Sequence, residues 1–361
     1  TALVLRPATT GELAEAVRVC AEDGLPMVPQ SGNTGLVGGS GPRETGDDVV
    51  ISLNRMTAIR AIDPLNNTIT VEAGCILADI QQAAADADRL YPLSLAAEGS
   101  CRIGGNLSTN AGGTNVLRYG NAKEHVLGLE VVLPDGRIWN GLRGLRKDNT
   151  GYDIKQLFLG SEGTLGIITA AVLKLWPRPR QTVTAWLGVP HAHAAVEVLN
   201  RAQAGTGGQV TGFEYMVADA LALTFDKLPQ NRSPLAGEHA GCVLMEATSG
   251  QDGDGLRAAL EALLAEVMEA GLVDDAVIAE SETQARALWQ IREDMPEAQI
   301  HAGGGLKHDV AVPVSRVAEF LDQATRTVQE LAPDARIITF GHLGDGNLHF
   351  NQCAATLEAL P

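Results

Sequence analysis

Two hydrophobic periods alternate along this chain, and their order sets out its elements. Residues 3–5 (Leu-Val-Leu) are strand-like. Thr10 then stands where it can cap a helix over 10–22, whose Leu13, Ala16, Val17 and Cys20 return at helical spacing until Gly24 and Pro26 end it. A strand starts again at 27–29 and delivers the chain straight into a glycine-rich segment. Short apolar runs predict further strands at 49–53, 59–62, 68–72, 129–133 and 167–175, with a helix at 76–86.

Trp176-Pro177-Arg178-Pro179-Arg180 breaks both periods, because each proline holds the residue before it in extended backbone, and it divides the chain into domains of 1–179 and 180–361. Beyond it, an amphipathic helix places Leu256, Leu260, Leu263, Leu264, Val267 and Met268 on one face, with Gly271 as its stop. Strands are expected at 241–247, 309–313 and 336–339, and helices at 280–300 and 313–331. Together they make an α+β second domain whose sheet carries one helical layer.

With 361 residues, 45% hydrophobic and 20% charged, the chain can bury two cores. Its 40 glycines cluster in three stretches instead of repeating, which points to ligand loops and not to a fibre. A formal charge of −17 repels a polyanion and excludes nucleic acid as a partner, so an anionic small molecule has to be held by a few local Arg or Lys side chains. Five cysteines (Cys20, Cys75, Cys101, Cys242, Cys353), odd in number and without a CxxC pair, argue against a disulfide framework and for a reducing compartment. The expected setting is cytoplasmic, with peripheral attachment to a membrane left open. No apolar run approaches the ~18 residues that span a bilayer. The chain opens on Thr1 and not on a signal peptide, so a trimmed N-terminus is expected.

The candidate chemistry begins with the glycine stretches. Residues 29–40 (PQSGNTGLVGGS) follow a strand and offer backbone N–H groups without Cβ obstruction, as a diphosphate cradle does; a flexible surface loop is the plain alternative. The segment is not GxGxxG and no GK[ST] occurs, so neither the nicotinamide Rossmann fold nor the P-loop finds its residues. Residues 97–113 (AEGSCRIGGNLSTNAGG) mix five glycines with small hydroxyl and amide side chains able to bond ring carbonyls or phosphates. Residues 160–169 (GSEGTLGIIT) are a glycine turn running into a strand, informative only beside the other two. Three such segments in one domain suggest one long ligand contacted along its length.

Through SGNTGLVGG, AEGSCRIGGNLSTNAGG, NTGYDIKQLFLGSEGTLGIIT and GHLGDGNLHFN, the chain resembles the FAD-linked oxidase family of the vanillyl-alcohol oxidase and p-cresol methylhydroxylase (PCMH) superfamily. Its branch is that of the D-lactate, glycolate and D-2-hydroxyglutarate dehydrogenases. The resemblance implies an α+β fold: a two-lobed PCMH-type FAD-binding domain, then an α+β substrate domain with an antiparallel sheet. It further implies that Gly32, Asn33, Thr34, Gly35 and Leu36 bind the FAD pyrophosphate, and that Gly99, Ser100, Gly105, Asn106, Thr109, Gly112 and Ile168 line the flavin or adenine. Asn33 stands where relatives with covalent flavin use histidine, so FAD is expected to be non-covalent.

In residues 341–351 (GHLGDGNLHFN), His342 and His349 lie seven apart around an Asp-Gly turn, a spacing that suits a hairpin-borne metal pair but leaves it incomplete by itself. The resemblance implies that they hold a divalent metal, zinc or manganese, with a third ligand and a general base from a later segment that these 361 residues do not contain. Arg292 and Lys307 match positions where the family holds the substrate carboxylate, Arg292 with the better chemistry for a two-pronged grip; Asn351 is expected to fix the substrate. For any one Arg or Lys, a solvated surface charge is the plain alternative.

The expected reaction is oxidation of a D-2-hydroxy acid to the 2-oxo acid by hydride transfer to flavin, with electron-transfer flavoprotein, quinone, cytochrome or oxygen as electron acceptor. A homodimer is compatible with the sequence. Two rivals stand beside it: a non-catalytic or assembly flavoprotein subunit of a multi-protein oxidase, and a metal-dependent enzyme without flavin.

Overall fold

A computed structural model of the chain describes residues 3–303 and 305–353. They form two compact units: one holds the residues through Arg178 other than Val116–Arg118, and the other holds those three and the chain from Pro179.

In the first unit, β1 (Leu3–Leu5), β3 (Val49–Ser52) and β2 (Met27–Gln30) form a parallel sheet in the order β1-β3-β2. Helix α1 (Thr10–Glu22) connects β1 to β2. Its N-cap is Thr9 and not Thr10: Glu12 N–H donates to the Thr9 hydroxyl at 3.1 Å, and Ala8 N–H donates to the Glu12 carboxylate at 2.7 Å. Thr10 instead donates its hydroxyl to Glu130 at 2.7 Å. The buried stripe of α1 is Leu13, Val17 and Cys20, at the spacing the sequence predicts.

Five antiparallel strands make the second lobe: β4 (Ile59–Asp63), β5 (Thr68–Glu72), β7 (Val126–Val132), β8 (Ile138–Gly141) and β9 (Ile167–Lys174), in the order β4-β5-β9-β7-β8. Helices α2 (Leu77–Asp86) and α3 (Ile103–Ser108) contribute Leu77, Ile80, Ile103 and Leu107 to the same core as Ile69, Val131 and Leu173. The two-residue strands β6 (Arg89–Leu90) and β10 (Trp176–Pro177) pair with each other, so the proline-rich segment is anchored before the chain leaves the unit. Short helices α4 (Val116–Tyr119) and α5 (Lys155–Phe158) complete the first half of the chain.

His125 marks a pH-sensitive point in this core. It is 1% exposed and packed edge-on to Tyr91 and Trp176, with Nε2 bonded to the Tyr119 carbonyl. Burial pulls its pKa down to about 4 from the usual 6.5. Between those values the unfolded chain binds a proton that the folded one refuses, so stability is complete above pH 6.5 and falls as the pH drops toward 4. The loss is about 3 kcal/mol at ~1.4 kcal/mol per pKa unit. Urea unfolding of wild type and His125→Gln at pH 7, 5.5 and 4 checks this. The wild type should lose its advantage in that window, and parallel pH profiles rule the titration out.

The second unit is built on one antiparallel sheet of seven strands: β11 (Gln181–Val189), β12 (Val210–Val217), β13 (Gly241–Ser249), β14 (Asp275–Ile278), β15 (Asp309–Ala311), β16 (Arg336–His342) and β17 (Asn347–Cys353), in the order β14-β11-β13-β12-β16-β17-β15. One face is covered by α6 (Ala192–Gly205), α8 (Gly255–Glu269) and α11 (Val317–Leu331). The other is covered by α7 (Ala218–Lys227), α9 (Glu282–Glu293) and α10 (Met295–His301). The expectation of a single helical layer is corrected. β11 is buried continuously from Val183 to Val189, so alternate side chains enter two different cores.

The helix expected over 280–300 is two helices that meet at Asp294, whose carboxylate accepts from the amides of Asn231 and Gln290; Pro296 opens the second. Helix α11 starts at Val317 after a single 3₁₀ turn, four residues later than expected. Met268 is 42% exposed and leaves the apolar face of α8. The five cysteines are buried free thiols.

Candidate functional site

In the first unit the three glycine segments are built on one another. A Cβ on Gly32 would lie 2.8 Å from the Arg102 nitrogen and the Cys101 Cα, so the loop after β2 rests on the backbone that starts α3. A Cβ on Gly105 would come 3.2 Å from the Ser31 Cβ. The third segment joins through Gly160 N–H to the Leu107 carbonyl at 3.1 Å and Glu162 N–H to the Ser108 carbonyl at 2.8 Å. Gly163, at φ +79°, sits against Pro29. Asn33 takes φ 52°, with its side-chain oxygen held by the Ser40 hydroxyl at 2.7 Å.

Two observations leave open space and a polar atom for a bound group among these residues. Gly35 and Gly99 have ordinary φ, and a Cβ there would meet nothing within 4 Å, so neither backbone strain nor protein packing asks for glycine. The Oδ1 of Asn106, a residue 7% exposed, is buried with no hydrogen-bond partner among the described residues. Leu36 stands 99% exposed beside exposed Thr34.

Three expected contacts look different in detail. Ile168 is 2% exposed and its side chain belongs to the core of β9. The Thr109 hydroxyl back-bonds to the Gly105 carbonyl at 2.9 Å, and that of Ser100 turns to the Ala97 carbonyl. Gly112 is partly buried in the loop after α3.

In the second unit a charged cluster occupies the sheet face covered by α9. β16 and β17 form the hairpin the sequence suggested; Phe340 lies opposite His349 and His342 opposite Asn347, so both imidazoles share a face, ring centres 5.8 Å apart. Glu214 of β12, 1% exposed, bridges the cluster: Oε2 accepts from Arg292 Nε at 2.6 Å and Oε1 meets His342 Nδ1 at 2.5 Å. Arg292 is 7% exposed, its guanidinium carbon 4.9 Å from the centre of the Phe340 ring. Its Nη1 and Nη2 have no hydrogen-bond partner among the described residues, so the outer fork is uncommitted.

The Nδ1 of His349 is likewise bonded to Asp309. With Nδ1 of each ring turned to a carboxylate, Nε2 is the atom left for chemistry. Burial raises the Glu214 carboxyl, but the charges of Arg292 and His342 outweigh it and hold the group well below the usual range. Burial opposes charging of His342, and Glu214 reverses the balance upward; for His349 burial wins and the shift is downward.

Lys307 is exposed and makes no ion pair among the described residues. Asn351 is 4% exposed, its Oδ1 accepting from His308 N–H at 3.0 Å and its Nδ2 donating to Gln299 at 3.1 Å, so its amide braces β17. The metal expectation meets a limit: no three His, Cys, Asp or Glu stand together as a metal set among the described residues, and two imidazoles fall short of the three ligands a catalytic ion takes. Glu214 and Asp309 were missed in the sequence. The available signal for Glu214 was an acidic residue inside the apolar run Phe213-Glu214-Tyr215-Met216.

Residues 1–141 match the family model described as FAD binding domain, and residues 178–359 match that of FAD linked oxidases, C-terminal domain. The mitochondrial D-2-hydroxyglutarate dehydrogenase of Danio rerio is 40% identical over 349 residues, covering 97% of this chain and 64% of that protein. The D-2-hydroxyglutarate–pyruvate transhydrogenase of Saccharomyces cerevisiae is 35% identical over 356 residues, 97% of this chain and 71% of its own length. The solved structure of p-cresol methylhydroxylase with substrate bound shares the fold at TM-score 0.74 and 15% identity, covering 97% of this chain and 74% of that one. The chain thus spans less than two thirds of the length of the Danio rerio relative. The cytoplasmic expectation is corrected, because that relative is named mitochondrial. Unpaired cysteines report a reducing milieu and do not tell one such compartment from another.

Proposed function

The chain belongs to the FAD-linked oxidases, and from that premise we propose that it oxidises a D-2-hydroxy acid of the D-2-hydroxyglutarate or D-lactate type to the 2-oxo acid. The observation that carries the reading is the Arg292–Glu214–His342 cluster, a buried cation whose inner nitrogen is anchored and whose outer fork is uncommitted. That fork matches a carboxylate in geometry and charge. Residues 32–36, with Gly99, Ser100, Gly105, Asn106, Thr109, Gly112 and Ile168, are assigned to FAD, which supplies the two-electron acceptor for the C2 hydrogen. Asn33 has no side-chain atom able to bond the flavin covalently, so the cofactor is held by contacts alone.

In the second unit Arg292 orients the acid, and the Nε2 atoms of His342 and His349 face its hydroxyl. Lys307 is the alternative carboxylate cation should Arg292 prove silent.

The test is anaerobic titration of the purified full-length protein with paired D- and L-2-hydroxy acids, with and without a chelator. The flavin band should bleach with D-acids only, and denaturation should release intact FAD. Flavin left in the precipitate sinks the non-covalent assignment. A yellow protein that no hydroxy acid bleaches is instead a non-catalytic flavoprotein subunit. Undiminished turnover in chelator removes the metal; loss restored by zinc or manganese establishes it.

A further inference from the structure

We infer that Trp289 and Glu246 are positioning residues for Arg292, acting through the helix that carries it; the inference rests on Arg292 being the carboxylate anchor. Trp289 and Arg292 are three residues apart on α9 and project from one face of it. The sheet presents a matching pair. Glu214 of β12 lies opposite Leu244, and Glu246 of β13 lies opposite Gly212, so the two glutamates share a face and sit diagonally on neighbouring strands. Arg292 Nε takes Glu214 at 2.6 Å, and Trp289 Nε1 donates to Glu246 Oε2 at 2.8 Å.

Three residues of helix rise by ~4.5 Å, so the two polar links engage one turn apart and fix both the rotation and the axial position of α9. The Glu246 carboxylate also accepts the Thr184 hydroxyl at 3.0 Å, which ties it to β11, and no Lys, Arg or His pairs with it among the described residues. Burial raises its pKa, opposite to Glu214.

Trp289→Phe keeps the ring in its place and deletes only the Nε1 donor. In the full-length FAD-loaded enzyme it should raise KM for the hydroxy acid about three- to tenfold, the effect of one lost hydrogen bond, with kcat within twofold and FAD content unchanged. Amide exchange across 282–293 should quicken. Glu246→Gln, which keeps an acceptor oxygen, should stay within twofold of wild type in KM. Adding Trp289→Phe to Arg292→Lys should raise KM no further, because the fork being aimed is already gone. Faster exchange in Trp289→Phe with KM unmoved makes the link merely structural and overturns the inference, as does unchanged exchange over α9. A wild type that no D-2-hydroxy acid reduces marks a different failure, that of the functional reading itself.

Discussion

Arg292→Ala should lower kcat/KM for the hydroxy acid by about thirty-fold to several-thousand-fold while bound FAD and its spectrum stay as in wild type. Truncating one partner of a buried, charge-assisted pair costs roughly 2–5 kcal/mol, at ~1.4 kcal/mol per factor of ten. The structure sharpens the expectation in two ways. Arg292 belongs to the second unit and the glycine segments to the first, so flavin content is an independent control on folding. Its Nε is anchored to Glu214, so the guanidinium is already oriented before a ligand arrives. Arg292→Lys should recover part of the loss: the charge returns, but a lysine cannot bond Glu214 and also present two parallel donors. The measurement is the anaerobic flavin reduction rate against acid concentration for all three proteins. A rate in Arg292→Ala within threefold of wild type at sub-saturating acid ends the assignment and turns attention to Lys307.

Removing the carboxylate between Arg292 and His342 should be as damaging, and partly through the fold. Glu214→Ala leaves Arg292 and His342 facing each other in a buried layer, and breaking a buried ion pair this way costs about 3–5 kcal/mol. Glu214→Gln separates stability from chemistry. Its amide oxygen can still accept from Arg292, but its amide NH₂ meets His342 Nδ1 as a donor. That forces the imidazole proton onto Nε2, the atom argued to face the substrate hydroxyl. The glutamine variant should therefore fold close to normally and lose flavin reduction by at least tenfold. The sign of the pH effect follows from the lowered Glu214 pKa. The Arg292–Glu214 pair contributes fully above the ordinary carboxylate value of 4.5 and is lost only as the pH falls below it, a loss absent in both variants. A Glu214→Gln enzyme with unimpaired reduction kinetics shows that the His342 tautomer is irrelevant to the reaction.

Much of this was legible in the sequence because the signals are local. The α1 stripe of Leu13, Val17 and Cys20, the glycine stop after α8 and the two imidazoles around an Asp-Gly turn all depend on residues within a turn or two of one another. Such spacings survive whatever the rest of the chain does. The three glycine segments were likewise visible as candidates for one ligand.

What only the tertiary structure decided depends on residues far apart in the chain. β11 and β12 have nearly unbroken apolar runs with no period to mark them, because both of their faces are covered, and so the strands and the second helical layer were missed. Glu214 reads as one acid in such a run until the sheet sets it against Arg292, 78 residues on, and His342, 128 residues on. Asn351 looked like a substrate contact, and pairing turned its amide inward to His308 and Gln299. Residue type and local spacing tell what chemistry a side chain can offer. Whether an arginine is an anchored fork or a solvated charge depends on the partner that burial forces upon it, since a charge withdrawn from water has to find its opposite somewhere in the fold.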